Sequence, residues 1–125
     1  MLTEKQLWEF RTFGFLILKQ VFTPEELETI DREFALVMEA GYRHAPFDGT
    51  SRHWMMMLGP EAPFFANLLE DDRLWGLSRQ LYGEDVIGVG CDANRYVGNT
   101  NWHPDTKSIH QYGVKFAFYL DPVEA

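Results

Sequence analysis

A histidine and an aspartate stand two residues apart in the segment His103-Pro104-Asp105, just after the turn-forming pair Gly98-Asn99. In an extended chain, side chains two positions apart project from the same face, so the imidazole and the carboxylate are expected to lie side by side. One imidazole and one carboxylate on one face are two of the three ligands in the facial triad that holds non-haem Fe(II) and leaves positions open for substrate and O₂. The pattern predicts a metal site at His103 and Asp105. The alternative is a surface loop in which Asp105 caps a turn and His103 faces water.

The composition is that of a globular, acidic protein. The chain has 125 residues, of which 46% are hydrophobic and 15% aromatic, enough for one domain with a core. Nineteen acidic residues against eleven basic ones give a net charge of -8. Because nucleic-acid binding needs a patch of Lys and Arg that neutralises phosphates, and no such patch is visible, we expect no nucleic-acid partner. The acidity is also what plain solubility would require.

The cysteine content and the N-terminus indicate a cytoplasmic protein. Cys91 is the only cysteine, so the chain has neither an intrachain disulfide nor a cysteine-based zinc motif. The first five residues lack the apolar core of a signal peptide, and no apolar run reaches the length of a membrane span. We therefore expect a reducing compartment and no membrane partner.

Two helices begin at capping boxes, in which a threonine is followed three residues later by Gln or Glu. These pairs are Thr3 with Gln6 and Thr23 with Glu26, and Gly14 can close the first helix. An apolar stripe at three-four spacing follows the second box, made of Leu27, Ile30, Phe34, Val37, Met38 and Gly41. This stripe is expected to pack while the acidic face of the helix meets water.

A further helical stretch runs from Pro63 to Tyr82 and ends before Gly83. We expect a break near Asp71-Asp72, where either aspartate can cap a second piece.

Residues 42–60 are predicted to be irregular, because prolines and a glycine interrupt any period. Cations and histidines cluster there beside Trp54 and three methionines, namely Arg43, His44, Arg52 and His53. A loop with aromatic and cationic side chains suits a lid or a substrate-facing segment. The alternative is a surface loop whose Met and Trp side chains close one end of the core.

The stretches 15–22 and 112–120 each read as a strand, and 86–89 with 91–97 read as one or two strands. The stretch 15–22 is short and continuously apolar, as in a buried strand. Gly88 lies within 86–89 and Gly90 directly after it, and both glycines mark a bulge or a close approach of the backbone. Helices followed by antiparallel strands predict an α+β fold, or a β-sandwich or barrel with helices packed outside.

The last predicted strand leaves the role of Lys115 open. Val114, Phe116, Phe118 and Leu120 share one face of it, and Lys115, Ala117 and Tyr119 share the other. If Phe116 and Phe118 pack under the helices, Lys115 points to the inner face, where its ammonium can meet a carboxylate. If the two phenylalanines point inward instead, Lys115 is an ordinary solvated residue.

The order of these elements resembles the N-terminal half of the phytanoyl-CoA dioxygenase family of Fe(II)- and 2-oxoglutarate-dependent oxygenases. The most specific segments are Trp102-His103-Pro104-Asp105, the strand end Tyr119-Leu120-Asp121-Pro122 and the opening Gly14-Phe15-Leu16-Ile17-Leu18. The resemblance covers essentially the whole chain. It implies one domain over 1–125, with mainly helical residues 1–84 packed on part of a double-stranded β-helix, or jelly-roll barrel, whose first strands lie in 85–125.

The resemblance also implies a site. His103 and Asp105 match the first two iron ligands of the family, and Asn94 lies where some relatives contact 2-oxoglutarate. In relatives that halogenate, a small residue replaces the aspartate, so Asp105 points to hydroxylation. The implied activity is oxidative decarboxylation of 2-oxoglutarate coupled to hydroxylation of a small organic substrate, with Fe(II) and 2-oxoglutarate as cofactors.

The third iron ligand of the family is a distal histidine in a Pro-Gly-Ser-His-like segment, and an arginine that pairs with 2-oxoglutarate follows it. Neither is present in this sequence. The chain therefore resembles the front part of a longer protein, and we expect the missing segment within about fifty residues of Ala125, a distance set by two or three strands. The resemblance leaves the activity of the front part alone open.

Two other interpretations stay open. His110, seven residues after His103, could approach a metal in place of the distal histidine, or it is a solvated loop residue. The chain could also be a non-catalytic relative, in which the uncovered strand edges serve binding or form a homo-oligomer.

Overall fold

The computed structural model describes residues 1–101, 103–105 and 113–120. The elements follow in the order α1 (Glu4–Phe13), α2 (Pro24–Gly41), β1 (His53–Met56), α3 (Pro63–Asn67), α4 (Asp72–Tyr82) and β2 (Asp92–Arg95). Within this part of the chain, none of the helices combines the length and the apolar character needed to cross a membrane.

Both predicted capping boxes are confirmed. The hydroxyl of Thr3 accepts from the backbone N–H of Gln6, the side chain of Gln6 accepts from the backbone N–H of Thr3, and Thr23 and Glu26 repeat the arrangement at α2. Gly14 ends α1 in the left-handed conformation, with φ of 77°, which a residue without Cβ adopts at little cost.

The third helical stretch is divided, as its sequence predicts. Asp71 begins α4 by accepting a hydrogen bond from the backbone N–H of Arg73. The N-terminus of α3 is capped from a distance, since the buried carboxylate of Glu33 on α2 accepts from the backbone N–H groups of Phe64 and Phe65 at 3.0 and 3.3 Å. This contact joins two helices whose sequences carry no sign of it.

Arg73 joins the start of α4 to the start of α2. Its guanidinium donates to both carboxylate oxygens of Glu26 at 2.7 and 2.8 Å, to Asp71 and to the backbone carbonyl of Val21, and lies over the ring of Phe22. The charge-assisted bonds to Arg73 lower the pKa of Glu26 and that of Asp71.

The strands β1 and β2 form an antiparallel pair. His53 faces Arg95 and Met56 faces Asp92 in the register, and one further backbone bond runs from Met57 N–H to the Cys91 carbonyl at 2.8 Å. The prediction that residues 42–60 are irregular is therefore wrong at 53–56, where Pro and Gly residues lie on either side of the strand but not within it.

The core lies between α2, α3, α4 and the sheet. Its buried members are Ile30, Val37, Met38, Met57, Ala62, Phe65, Leu68, Leu74 and Ala93. Met57 is fully buried at the end of β1, and the half-buried Phe116 and Phe118 pack against this cluster from the last described segment.

The predicted fold class is contradicted. The sheet has two strands and is not closed, so the described residues do not form part of a jelly-roll barrel. The stretches 15–22, 86–89 and 113–120 carry strand-like sequences, yet no backbone–backbone hydrogen bond joins them to another described residue. A strand is defined by its partner as much as by its own side chains, and alternation of apolar residues does not supply that partner. The buried strand predicted at 15–22 is wrong for Phe15 and Ile17, both of which are exposed.

Alternation of side chains nevertheless holds in 113–120. Val114, Phe116 and Phe118 are half-buried, and the ring of Phe118 meets that of Phe22 edge-on with centroids 5.0 Å apart. Lys115 lies on the opposite, exposed face. The two orientations left open by the sequence refer to a barrel, which the described residues do not form, so that choice stays open.

Candidate functional site

His103 and Asp105 line the same open cavity, which has a volume of about 340 Å³. Its other lining residues are Arg52, Asp92, Tyr96, Thr100, Asn101 and Lys115. The imidazole and carboxylate are thus brought together as the spacing predicts, in a polar cavity that is open to solvent. Both side chains are more than half exposed.

A backbone carbonyl orients the His103 ring. Its Nδ1 lies 2.7 Å from the carbonyl oxygen of Asn101. A carbonyl can only accept, so the contact is a hydrogen bond when Nδ1 carries a proton, and in that neutral tautomer the lone pair is on Nε2. Metal-binding histidines are commonly oriented by such a bond from the other ring nitrogen to a carbonyl or carboxylate.

The lone pair of His103 lies close to Asp105. Nε2 is 3.8 Å from Oδ1 of Asp105, and two ligand atoms at about 2.1 Å from one metal ion are roughly 3 Å apart. The two donor atoms therefore need to approach by less than 1 Å to share an ion, a shift that side-chain rotation covers.

Lys115 competes for the same oxygen. Its Nζ lies 3.3 Å from Oδ1 of Asp105, so the ammonium neutralises the carboxylate that the sequence assigns to the metal. This contact joins two exposed side chains and not groups inside a barrel. A role for Lys115 towards 2-oxoglutarate stays a prediction.

A second set of polar side chains lies along the β1–β2 pair. Asp92 accepts from the indole N–H of Trp54 at 2.9 Å and from the amide of Asn94 at 2.7 Å. The amide oxygen of Asn94 in turn accepts two bonds from Arg52, at Nε and Nη2. Asn94, the residue that the resemblance places at 2-oxoglutarate, thus has both ends of its amide engaged by neighbouring side chains.

Arg52 is the site residue that sequence reasoning placed in the irregular loop. Arg52 immediately precedes β1, and the antiparallel register places Trp54 opposite Asn94. Because of this pairing, Arg52 lies at the cavity and contacts Asn94, which is 42 positions away in the sequence. The signal that could have found it is the short run His53-Trp54-Met55-Met56, which is itself a strand.

His44 and His53 do not line the cavity. His53 is buried and stacks on Tyr42, with ring centroids 3.6 Å apart and planes within 2°. His44 is exposed, and His110 lies outside the described residues. Cys91 is half-buried, and burial together with the nearby charge of Asp92 raises its thiol pKa to about 11, so the thiolate is scarce at neutral pH.

The donor set fits a metal in part. Among residues 1–101, 103–105 and 113–120, no group of three or more His, Cys, Asp or Glu side chains is placed to hold an ion. His103 and Asp105 therefore form a pair of candidate donors, and no third His, Cys, Asp or Glu side chain of the described residues joins them.

Comparison with protein-family models, with curated proteins and with solved structures gives no match. The likeness to the phytanoyl-CoA dioxygenase family therefore stays a resemblance carried by the segments named above.

Proposed function

We propose that this chain supplies His103 and Asp105 as two ligands of a non-haem Fe(II) centre in a 2-oxoglutarate-dependent dioxygenase that hydroxylates a small organic substrate. The observation that carries the proposal is the approach of the free Nε2 lone pair of His103 to the Asp105 carboxylate within one cavity. An imidazole and a carboxylate are the donor types that Fe(II) accepts in the facial triad.

The chain's own residues would hold and orient the reacting groups. The carbonyl of Asn101 would orient the His103 ring with Nε2 available to a cation, and Lys115 pairs with Asp105 while the ion is absent. Fe(II), when bound with 2-oxoglutarate, would let O₂ oxidise both 2-oxoglutarate, to succinate and CO₂, and an unreactive carbon of the substrate, to an alcohol.

Metal binding tests the proposal directly. Titration of the purified chain with Mn(II), followed by the loss of the free-ion EPR signal, should show binding that His103→Ala weakens by roughly tenfold or more. His44→Ala is the matched control, because it removes an exposed imidazole outside the cavity. Equal affinity in the two variants would contradict the proposal.

Turnover is the second readout. Iron-dependent conversion of 2-oxoglutarate to succinate, measured by NMR, should disappear in His103→Ala and persist in His44→Ala. Iron-dependent turnover that survives His103→Ala would assign the chemistry to other residues.

A non-catalytic interaction module is the second candidate, and one specific observation favours it. Ile17, Ile87 and Val89 are 74%, 81% and 88% exposed, on extended segments without backbone partners among the described residues. Gly88 lies against Leu69, so close that an added Cβ would be 3.0 Å from Cδ2 of that leucine, and its neighbours Ile87 and Val89 point away from the helices. Exposed apolar strand faces of this kind favour association with another chain.

Light scattering distinguishes this candidate. The second candidate predicts a dimer that Ile87→Lys converts to a monomer. The control Glu39→Lys, at an exposed residue of α2, should leave the dimer intact. A monomer at all concentrations, together with metal binding by His103, would exclude the interaction module and retain the oxygenase proposal.

A further inference from the structure

Arg52 presents unused hydrogen-bonding capacity to the cavity. Its Nε and Nη2 donate to the amide oxygen of Asn94, and Nη2 also lies 3.4 Å from the hydroxyl of Tyr96. Both partners are neutral. Nη1, which carries two N–H groups, has no acceptor among the described residues. The guanidinium therefore holds a full positive charge and two free donors at the wall of the cavity.

The other charges of the cavity are already engaged. Asp105 is paired with Lys115, and Asp92 accepts bonds from Trp54 and Asn94. Within the described part of the chain, Arg52 forms no salt bridge. Arg52 is exposed at the wall of the open cavity, and a ligand that carries a negative charge would supply the counter-charge that the described residues do not.

The guanidinium is also held in one orientation. It lies over the ring of Tyr96, with its central carbon 4.4 Å from the ring centroid, while the two bonds to Asn94 fix its edge. Asn94 is in turn held by Asp92. A guanidinium that is fixed before the ligand arrives loses little conformational entropy on binding, and its free Nη1 N–H groups can form charge-assisted hydrogen bonds with a carboxylate.

We propose that Arg52 binds the carboxylate of a small organic acid that occupies the cavity beside His103 and Asp105. Identification of this acid as the substrate or as 2-oxoglutarate rests on the proposed function, whereas carboxylate binding by Arg52 requires no metal. The chain Asp92–Asn94–Arg52 positions the guanidinium, and Arg52 is the residue that touches the ligand.

Titration of the metal-free protein tests the binding step. After metal has been removed with a solid chelating resin, acetate should shift the NMR signal of the Arg52 Nε–H, and acetamide, which has the same shape and no charge, should not. Arg52→Gln should weaken acetate binding roughly tenfold, as monitored at the backbone amides of Thr100 and Asn101.

Arg11→Gln is the matched control. Arg11 is an exposed arginine that also lies over an aromatic ring, that of Trp8, and it is far along the chain on α1. Its removal changes the net charge by the same amount and should leave acetate binding unchanged. Equal weakening by the two variants, or equal shifts with acetate and acetamide, would overturn the proposal.

The source of the carboxylate is decided by competition. If 2-oxoglutarate, with Zn(II) in place of iron, removes the acetate-induced shift of Arg52 at a much lower concentration than glutarate, which lacks the 2-oxo group, the acid is 2-oxoglutarate. If acetate still shifts Arg52 when 2-oxoglutarate is saturating and Zn(II) replaces iron, the acid is the organic substrate. Both outcomes retain the carboxylate assignment and differ only in the molecule that carries it.

Metal and carboxylate binding fail independently. Arg52→Gln should leave the affinity for Mn(II) unchanged, and His103→Ala should leave the affinity for acetate unchanged. If acetate binding depends on Arg52 but the protein does not bind Mn(II), the proposed function is wrong and the carboxylate site stands. If His103 binds Mn(II) but acetate is not bound selectively, the carboxylate site is wrong and the proposed function stands.

Discussion

Asp105 is shared between two roles at the scale of single residues. Its Oδ1 lies 3.3 Å from the ammonium of Lys115 and 3.8 Å from Nε2 of His103. A metal ion between His103 and Asp105 must replace the ammonium as the counter-charge of the carboxylate. The Lys115 ammonium therefore balances the charge of the Asp105 carboxylate when no metal is bound, and its charge repels a divalent cation at the same oxygen.

Lys115→Met is expected to raise the affinity for Mn(II) by roughly two- to fivefold, since removal of an exposed ion pair frees the carboxylate. Isothermal titration calorimetry measures the change. Lys5→Met is the control, because Lys5 forms an exposed pair with Glu9 on α1 and its loss changes the net charge equally. Weaker binding in Lys115→Met would show that Lys115 orients Asp105 instead of competing for it.

At the scale of elements, α3 depends on a side chain from another helix. The five residues Pro63–Asn67 receive no cap from the residue that precedes them, Ala62. The carboxylate of Glu33 accepts from the first backbone N–H groups of the helix instead and meets the positive end of its dipole.

Glu33→Ala is expected to lower the free energy of unfolding by about 1–3 kcal/mol, because two buried N–H groups lose their acceptor. Urea denaturation followed by circular dichroism gives the value. Glu39→Ala removes an exposed glutamate from the same helix and should have little effect. Equal stability of the two variants would mean that water replaces the carboxylate at α3.

Arg73 makes the stability of the helical layer depend on pH. The folded-state pKa values of Glu26 and Asp71 lie below their ordinary values, first because of hydrogen bonds from Arg73. The unfolded chain therefore binds more protons than the folded one at mildly acidic pH. The stabilisation is present above the ordinary carboxyl pKa of about 4 and is lost as the pH falls towards the folded-state values.

Arg73→Met should therefore reduce stability at pH 7 and make its decline between about pH 5 and pH 3 shallower than in the wild type. Urea midpoints at a series of pH values provide the comparison. Arg32→Met, which removes an exposed arginine from α2, should leave the slope unchanged. A slope that is the same in all three proteins would show that other carboxyl groups cause the acid sensitivity.

At the scale of the whole molecule, Met57 joins the sheet to the helices. It is fully buried in the main cluster, while its neighbour Met56 is 47% exposed on the other face of the chain. The same inward and outward alternation places Phe116 and Phe118 against the core and Lys115 at the cavity.

Met57→Ala is expected to cost about 2–4 kcal/mol of unfolding free energy, since it leaves a cavity in a packed interior. Met56→Ala, one residue earlier, should cost less than about 0.5 kcal/mol. Thermal and urea unfolding of the pair measure the difference. Similar losses for both methionines would contradict the orientation of β1.

The helices were largely determined by the sequence because their signals are local. The capping boxes at Thr3 and Thr23, the cap at Asp71 and the break before it each depend on residues within one turn of one another, and all are confirmed. The convergence of His103 and Asp105 on one cavity also follows from local spacing, since only one residue separates them.

Tertiary structure alone decided which stretches pair as strands and which side chains join the site. The apolar stretch at 15–22 reads as a strand but has no partner among the described residues, whereas the run 53–56, hidden in a loop, pairs with β2. Three hydrogen bonds join residues between 31 and 52 positions apart: those of Arg52 with Asn94, of Glu33 with Phe64 and of Arg73 with Val21. Such contacts depend on how whole helices and strands pack together, and local sequence patterns do not predict that packing.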